Sequence, residues 1–216
     1  DPNDLTLMEQ MIERSDNDST DALAKAVIDP TFAPMEVTED MKALGIENTY
    51  WAGFFTPGSP MLQDYKTPAN QRTDFSTEPD RYAQTTPQDL GLLLEDIYYC
   101  AKDYGGSFPL AFNGEITQEE CQLMVDYLAL NKIGVLIQAG VPADVTVAHK
   151  HGWAYEVDDG YIHTIADAGI VYTPGGDYVL SIFAYHPIQA VFEPVNQLFA
   201  KLSQAVYSYY NLVAAQ

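Results

Sequence analysis

From Val145 to His186 the chain reads VTVAHKHGWAYEVDDGYIHTIADAGIVYTPGGDYVLSIFAYH. Three runs rich in β-branched and aromatic residues are separated by Asp158-Asp159-Gly160 and by Thr173-Pro174-Gly175-Gly176-Asp177, clusters that reverse a chain. The pattern predicts a three-stranded antiparallel meander, with the first cluster a hairpin turn. Its opening run sets Lys150 between His149 and His151, ahead of Gly152 and Trp153. Burying a cation in an apolar strand costs on the order of several kcal/mol unless a partner or ligand compensates. Either the lysine stem is buried and its head reaches water, or the charge serves a site.

The rest of the composition narrows what such a site can meet. Ten Lys and Arg face 31 Asp and Glu, and the net charge of −21 repels nucleic acid and anionic membrane surfaces, which excludes both as principal partners. No apolar run approaches the roughly 20 residues of a membrane span, so no membrane insertion is expected. The opening DPNDL lacks the regions of a signal peptide, leaving a cytosolic protein or one whose leader has been removed. With 47% hydrophobic residues over 216 positions, a sizeable core is available. Cys100 and Cys121 fall on the apolar faces of two predicted helices. A disulfide and a pair of buried thiols both remain open, and the acidic, Tyr-rich, Lys-poor composition leans toward an oxidising, secreted setting.

Ahead of the meander the periodicity is helical. Leu5, Met8, Met11 and Ile12 predict a helix ending near Arg14, followed by the turn-formers Ser15-Asp16-Asn17. Ser19 or Thr20 is expected to cap a second helix through Val27, and Thr38 to open a third that Gly45 ends. Residues 47–84 show little periodicity but many aromatics, and predict a long loop over a site. Thr86-Pro87-Gln88-Asp89 signals a strong helix start, and Thr117 to Glu120 is a capping box. After the meander, Val195, Leu198, Phe199, Leu202, Val206 and Tyr209 form a stripe expected to lie on the sheet. The expected class is therefore α/β of the α+β type. Residues 1–140 form a mainly helical region, and residues 141–216 an antiparallel sheet plus a C-terminal helix.

Ser15-Asp16-Asn17 in a helix connection and Lys150-His151-Gly152 on the first strand of the meander resemble the S-D-N and K-T-G motifs of the class A β-lactamase and penicillin-binding protein superfamily of serine hydrolases. The resemblance spans the whole chain and implies an acyl-enzyme mechanism without a cofactor, on a small-molecule or peptide acyl substrate. By that resemblance Ser15 relays a proton to the leaving nitrogen, and Lys150 supplies positive potential for a substrate carboxylate and for Ser15. Asn17 holds the substrate amide while Asp16 ties down the connection. Gly152 admits the ligand backbone, and the Trp153 amide is one of two oxyanion-hole donors.

The chain departs from the family pattern in three places. No Ser or Thr is followed by Lys three places on, so the S-x-x-K nucleophile is not in these residues. The chain is accordingly expected to be the C-terminal portion of a longer protein, inert alone, and found with its own N-terminal segment or self-associated. The loop lacks E-x-x-L-N, the pattern that positions a deacylating acid, and offers only Asp64, Asp74, Glu78 and Asp80. His151 replaces a hydroxyl, which predicts ligand binding that weakens as the pH rises through an imidazole titration near neutrality. The four histidines lack the acid or cysteine cluster of a metal site, and none is expected. A second reading keeps the scaffold as a non-catalytic binding or structural module.

Overall fold

A computed structural model describes residues 2–74, 80–156 and 158–212. Helices α1 (Pro2–Arg14), α2 (Asn17–Val27) and α3 (Ala33–Ala43) lead into two short strands, β1 (Tyr50–Trp51) and β2 (Ala83–Gln84). Helices α4 (Pro87–Asp103), α5 (Phe108–Ala111) and α6 (Gln118–Ala129) follow, then a 3-10 turn at Gln138–Gly140. The meander is β3 (Thr146–Tyr155), β4 (Ile162–Tyr172) and β5 (Tyr178–Tyr185), and α7 (Phe192–Tyr210) closes the chain. The sheet order β3-β4-β5 is antiparallel throughout, with Lys150 opposite Ala168 and Ala168 opposite Ser181. This is the α+β arrangement that the turn clusters foretell.

Strand alternation divides the meander into two faces with different work. Ala148, Ala168 and Ile170 pack against Leu94 and Ile97 of α4 and Val125 and Leu128 of α6. On the opposite face Val147 and Val171 meet Ile137, and Ile165 meets Leu136 and Phe199. Fully burying a side chain such as Phe199 or Ile165 contributes about 1.5–3 kcal/mol, so both faces hold the sheet. The turn before β3 is pressed onto α7: a Cβ on Gly140 would lie 2.3 Å from the Ala200 carbonyl, and the Ser203 hydroxyl donates to the Ile137 carbonyl at 2.8 Å.

Thr86 and Thr117 cap α4 and α6 as their sequences predict. Three expectations are corrected. The cap of α2 is Asp16, not Ser19 or Thr20, because its carboxylate reaches the Ser19 N–H at 2.8 Å. Helix α3 starts at Ala33 on the Pro34 signal, and Thr38 lies buried inside it, its hydroxyl bound to the Pro34 carbonyl and the Trp51 backbone. On α7, Phe199 and Ser203 face inward, whereas Leu198, Leu202 and Tyr209 are exposed. The small hydroxyl at 203 lets the helix approach the Gly140 turn, so the packed face is rotated away from the most apolar one.

The stretch 47–84 is better tied than its composition suggests. Tyr50 and Trp51 pair with Gln84 and Ala83. The buried Asp89 carboxylate accepts from the Asn48 N–H at 2.7 Å and the Thr49 hydroxyl at 3.0 Å. Buried Asp21 accepts from the Phe55 and Thr56 N–H groups at 2.9 and 2.8 Å.

Cys100 and Cys121 form a disulfide joining α4 to α6. Their separation of 21 residues gives about 3 kcal/mol in the chain-entropy account. Replacing both by Ala is expected to lower unfolding stability by about that much, and reduction should raise the intact mass by two hydrogens. An unchanged mass on reduction would refute the bridge.

Candidate active site

Ser15 occupies a two-residue connection between α1 and α2. Asp16 fixes that connection: its carboxylate accepts from the Ser19 N–H and hydroxyl, and its carbonyl accepts from the Thr20 hydroxyl at 2.9 Å. The Ser19 bonds hold the Asp16 carboxyl below its ordinary range. Ser15 itself has φ +54°, a left-handed conformation costing a non-glycine residue about 1–2 kcal/mol. Strain of this kind persists where surrounding bonds over-determine it, and here it accompanies a hydroxyl turned onto Lys150.

Lys150 lies on the helix-facing side of β3. Its ammonium donates to the Ser15 hydroxyl and to the His151 carbonyl at 3.2 Å. Among the described residues it forms no ion pair. Burial pushes the amine below the ordinary lysine range, and the field of Asp167 only partly opposes this. Beneath it opens a cavity of about 290 Å³ lined by Met8, Met11, Leu93, Met124, Leu128 and Lys150. A lysine at the wall of an apolar chamber is a strong anion attractor and holds its proton loosely. A second cavity, of about 300 Å³ beside Glu95, Tyr98 and Asp177, contains neither Ser15 nor Lys150 and has no comparable cation.

The reverse face of β3 carries a buried polar chain. His149 Nδ1 meets Asp167 Oδ1 at 2.9 Å, and its Nε2 meets the Asn131 carbonyl at 2.9 Å. The second Asp167 oxygen accepts from the Ile137 N–H at 3.0 Å. Next along the strand, His151 Nδ1 lies 3.2 Å from the Asn131 amide nitrogen. The His151 ring stacks on Trp153, and Trp153 packs on Phe192, with centroids 4.9 and 4.8 Å apart.

The expected sites thus fall as follows. Ser15 and Lys150 meet although 135 positions separate them. Asn17, the first residue of α2, is exposed, and its amide bonds to no described residue. A Cβ placed on Gly152 would meet nothing within 4 Å, so packing does not require this glycine and its flank is open. Trp153 is partly exposed beside it. The neutral-range switch at His151 is corrected: burial and then the Lys150 charge push the imidazole down to about 4. Of the loop acids, Asp64 pairs with Arg81, Asp74 with Arg72, and Asp80 accepts from the Tyr82 N–H. Glu78 lies outside the described residues. Among the described residues no three His, Cys, Asp or Glu side chains converge as a metal set.

Sequence reasoning passed over His149, Asp167 and Asn131. A lone acid within IADAGIV, facing a strand that carries His149 and His151 on one face, is the available signal for the first two. Asn131 carried none, because it lies in an irregular segment after α6.

The fold is an α+β scaffold that brings Ser15 and Lys150 together from distant parts of the chain. The beta-lactamase enzyme family model matches residues 4–210, and the chain belongs to that family. A class A beta-lactamase from Bacteroides cellulosilyticus superposes with TM-score 0.68 at 23% identity, covering 95% of this chain and 63% of that one. PBP-A superposes with TM-score 0.65 at 20% identity over 97% of this chain and 62% of its own. A beta-lactamase from Chitinophaga pinensis gives 0.66 at 16%, over 94% of this chain and 64% of that one. These likenesses establish the fold, and the chain spans under two thirds of each. No curated protein matches it in sequence.

Two outcomes follow from the electrostatics. Lys150→Met removes a desolvated cation and is expected to leave the protein as stable as the wild type or up to about 1 kcal/mol more so. Because the amine's folded-state pKa lies below its unfolded value of 10.5, the unfolded chain binds more protons between the two. The wild type should therefore gain on the variant as the pH rises into the lysine range. Denaturant melts across pH test this, and a variant markedly weaker at neutral pH would contradict it. For His151, any contribution to ligand binding should be flat from about pH 5 to about pH 8 and change only near pH 4, where its imidazole titrates. A transition at the ordinary histidine value would contradict that.

Proposed function

We propose that this chain is the larger part of a serine acyl hydrolase or transpeptidase of β-lactamase or penicillin-binding type. It would act through an acyl-enzyme on β-lactams or D-Ala-D-Ala type peptides, with a nucleophile supplied from outside these 216 residues. The observation that carries the reading is the Lys150 ammonium, without an ion pair among the described residues, bound to the Ser15 hydroxyl at the wall of an apolar cavity. Lys150 attracts the substrate carboxylate and polarises Ser15. Ser15 passes a proton to the leaving nitrogen, since a hydroxyl both donates and accepts. Asn17 holds the substrate amide, Asp16 fixes the turn, Gly152 admits the ligand backbone, His151 meets its carboxylate, and the Trp153 amide serves the oxyanion. An acyl-enzyme complex of a PBP-A mutant with penicillin G, which superposes with TM-score 0.64 at 22% identity, is consistent with this chemistry on the same fold.

Residues 1–140 and 141–216 then form two parts of one incomplete domain, meeting where Ser15 faces Lys150. The apolar cavity and the exposed Leu198 and Leu202 suit coverage by the protein's own N-terminal segment or, without it, by self-association. A secreted or extracytoplasmic location fits the disulfide. A second reading, a module that binds without turnover, is favoured by one observation: the described loop acids Asp64, Asp74 and Asp80 bond to Arg81, Arg72 and the Tyr82 N–H, and none of the three bonds to Ser15 or Lys150.

The test is covalent labelling of the longer protein that contains this chain with a fluorescent penicillin, read by gel and intact mass. An adduct is expected, with none on the 216-residue chain alone. Ser15→Ala and Lys150→Ala should each slow acylation by about 10²–10⁴-fold. A longer protein that never labels would favour the binding module.

A further inference from the structure

The His151 ring is held by more than its strand. Asn131 is almost fully buried, and its carbonyl is occupied by His149 Nε2 at 2.9 Å. His149 is tied through Nδ1 to Asp167, whose other oxygen is taken by the Ile137 N–H. The Asn131 backbone is thereby anchored to the centre of the sheet, and its side-chain amide nitrogen lies 3.2 Å from His151 Nδ1. The ring also stacks on Trp153, itself packed on Phe192.

With its amide nitrogen turned to the ring, Asn131 donates and Nδ1 of His151 accepts. A neutral imidazole carries its single proton on the other nitrogen. Nε2 has no hydrogen-bond partner among the described residues, and the ring is only half-buried. The charged and titratable groups around the ring are Lys150 on its own strand, His149 on the same face and Asp167 on β4; burial and the Lys150 charge keep the ring neutral.

We propose that Asn131 is a positioning residue that fixes His151 as the Nε2–H tautomer, so that β3 offers a neutral, donor-only N–H to the carboxylate of an acyl ligand. The ligand half rests on the acyl-hydrolase reading; the tautomer half does not. A hydroxyl at this position would both donate and accept. The imidazole Nε2–H can only donate, so the site selects ligands that present an acceptor there and disfavours those that present an N–H. The ring also extends an aromatic shelf through Trp153 to Phe192, suited to a flat group next to that carboxylate.

The experiment is side-chain ¹⁵N NMR of the full chain with labelled histidine, the His151 signals identified by their loss in His151→Gln. Without ligand, Nδ1 is expected in the unprotonated, downfield range and Nε2 in the protonated range. Asn131→Asp replaces the donor by an acceptor and should reverse the pattern, moving a proton onto Nδ1. Should that variant not fold, Asn131→Ala keeps the backbone carbonyl that His149 uses and should give two tautomers in exchange. A wild-type spectrum with Nδ1 protonated, or one that neither variant alters, overturns the assignment. Benzylpenicillin is then added as the carboxylate probe. Movement of the Nε2 signal supports the contact; a correct tautomer with a motionless Nε2 signal overturns the ligand half alone.

Discussion

A single contact, the Lys150 ammonium on the Ser15 hydroxyl, is what the remainder of the structure is arranged to hold. Neither partner sits there cheaply. Ser15 adopts a left-handed backbone that its side chain disfavours, and Lys150 keeps a charge at an apolar wall with no ion pair among the described residues and only the field of Asp167 to favour it. Both costs are met by ordinary bonds nearby. Asp16 caps α2 and so locks the turn, while His149 and Asp167 fix the strand from its other face. Removing either support would free one partner to relax away from the other.

The physical consequence lies in the amine. Desolvation destabilises the charged form of Lys150 and pushes its amine below the ordinary lysine range, with the Ser15 hydroxyl as its neighbour. The same desolvation makes an incoming carboxylate a welcome partner, because it restores the compensation that the folded chain withholds.

Most of the fold was legible where local chemistry decides. Turn clusters delimited the three strands, and the Thr86-Pro87 and Thr117–Glu120 caps opened α4 and α6 where their residues said they would. Legibility failed where tertiary neighbours decide. The inward face of α7 is set by the approach of Gly140 to Ala200, which no periodicity within the helix records. The loop 47–84 is pinned by Asp21 and Asp89, acids distant in sequence and unremarkable by themselves. Within the site, motif order brought out Ser15 and Lys150, but the charge state of His151 depends on burial and on which side of it Lys150 lies. Asn131 matters because an irregular segment delivers it to His149 and His151 together, a coincidence visible only in space.

The central claim, that Lys150 is a desolvated amine facing Ser15, is tested most directly by titrating that amine. Reductive ¹³C-methylation followed by NMR, with the resonance assigned by its absence in Lys150→Arg, reads it individually among the seven lysines. The account predicts titration below the ordinary lysine range and a displaced resonance in Ser15→Ala. Titration at the ordinary value, unaltered by Ser15→Ala, would contradict it.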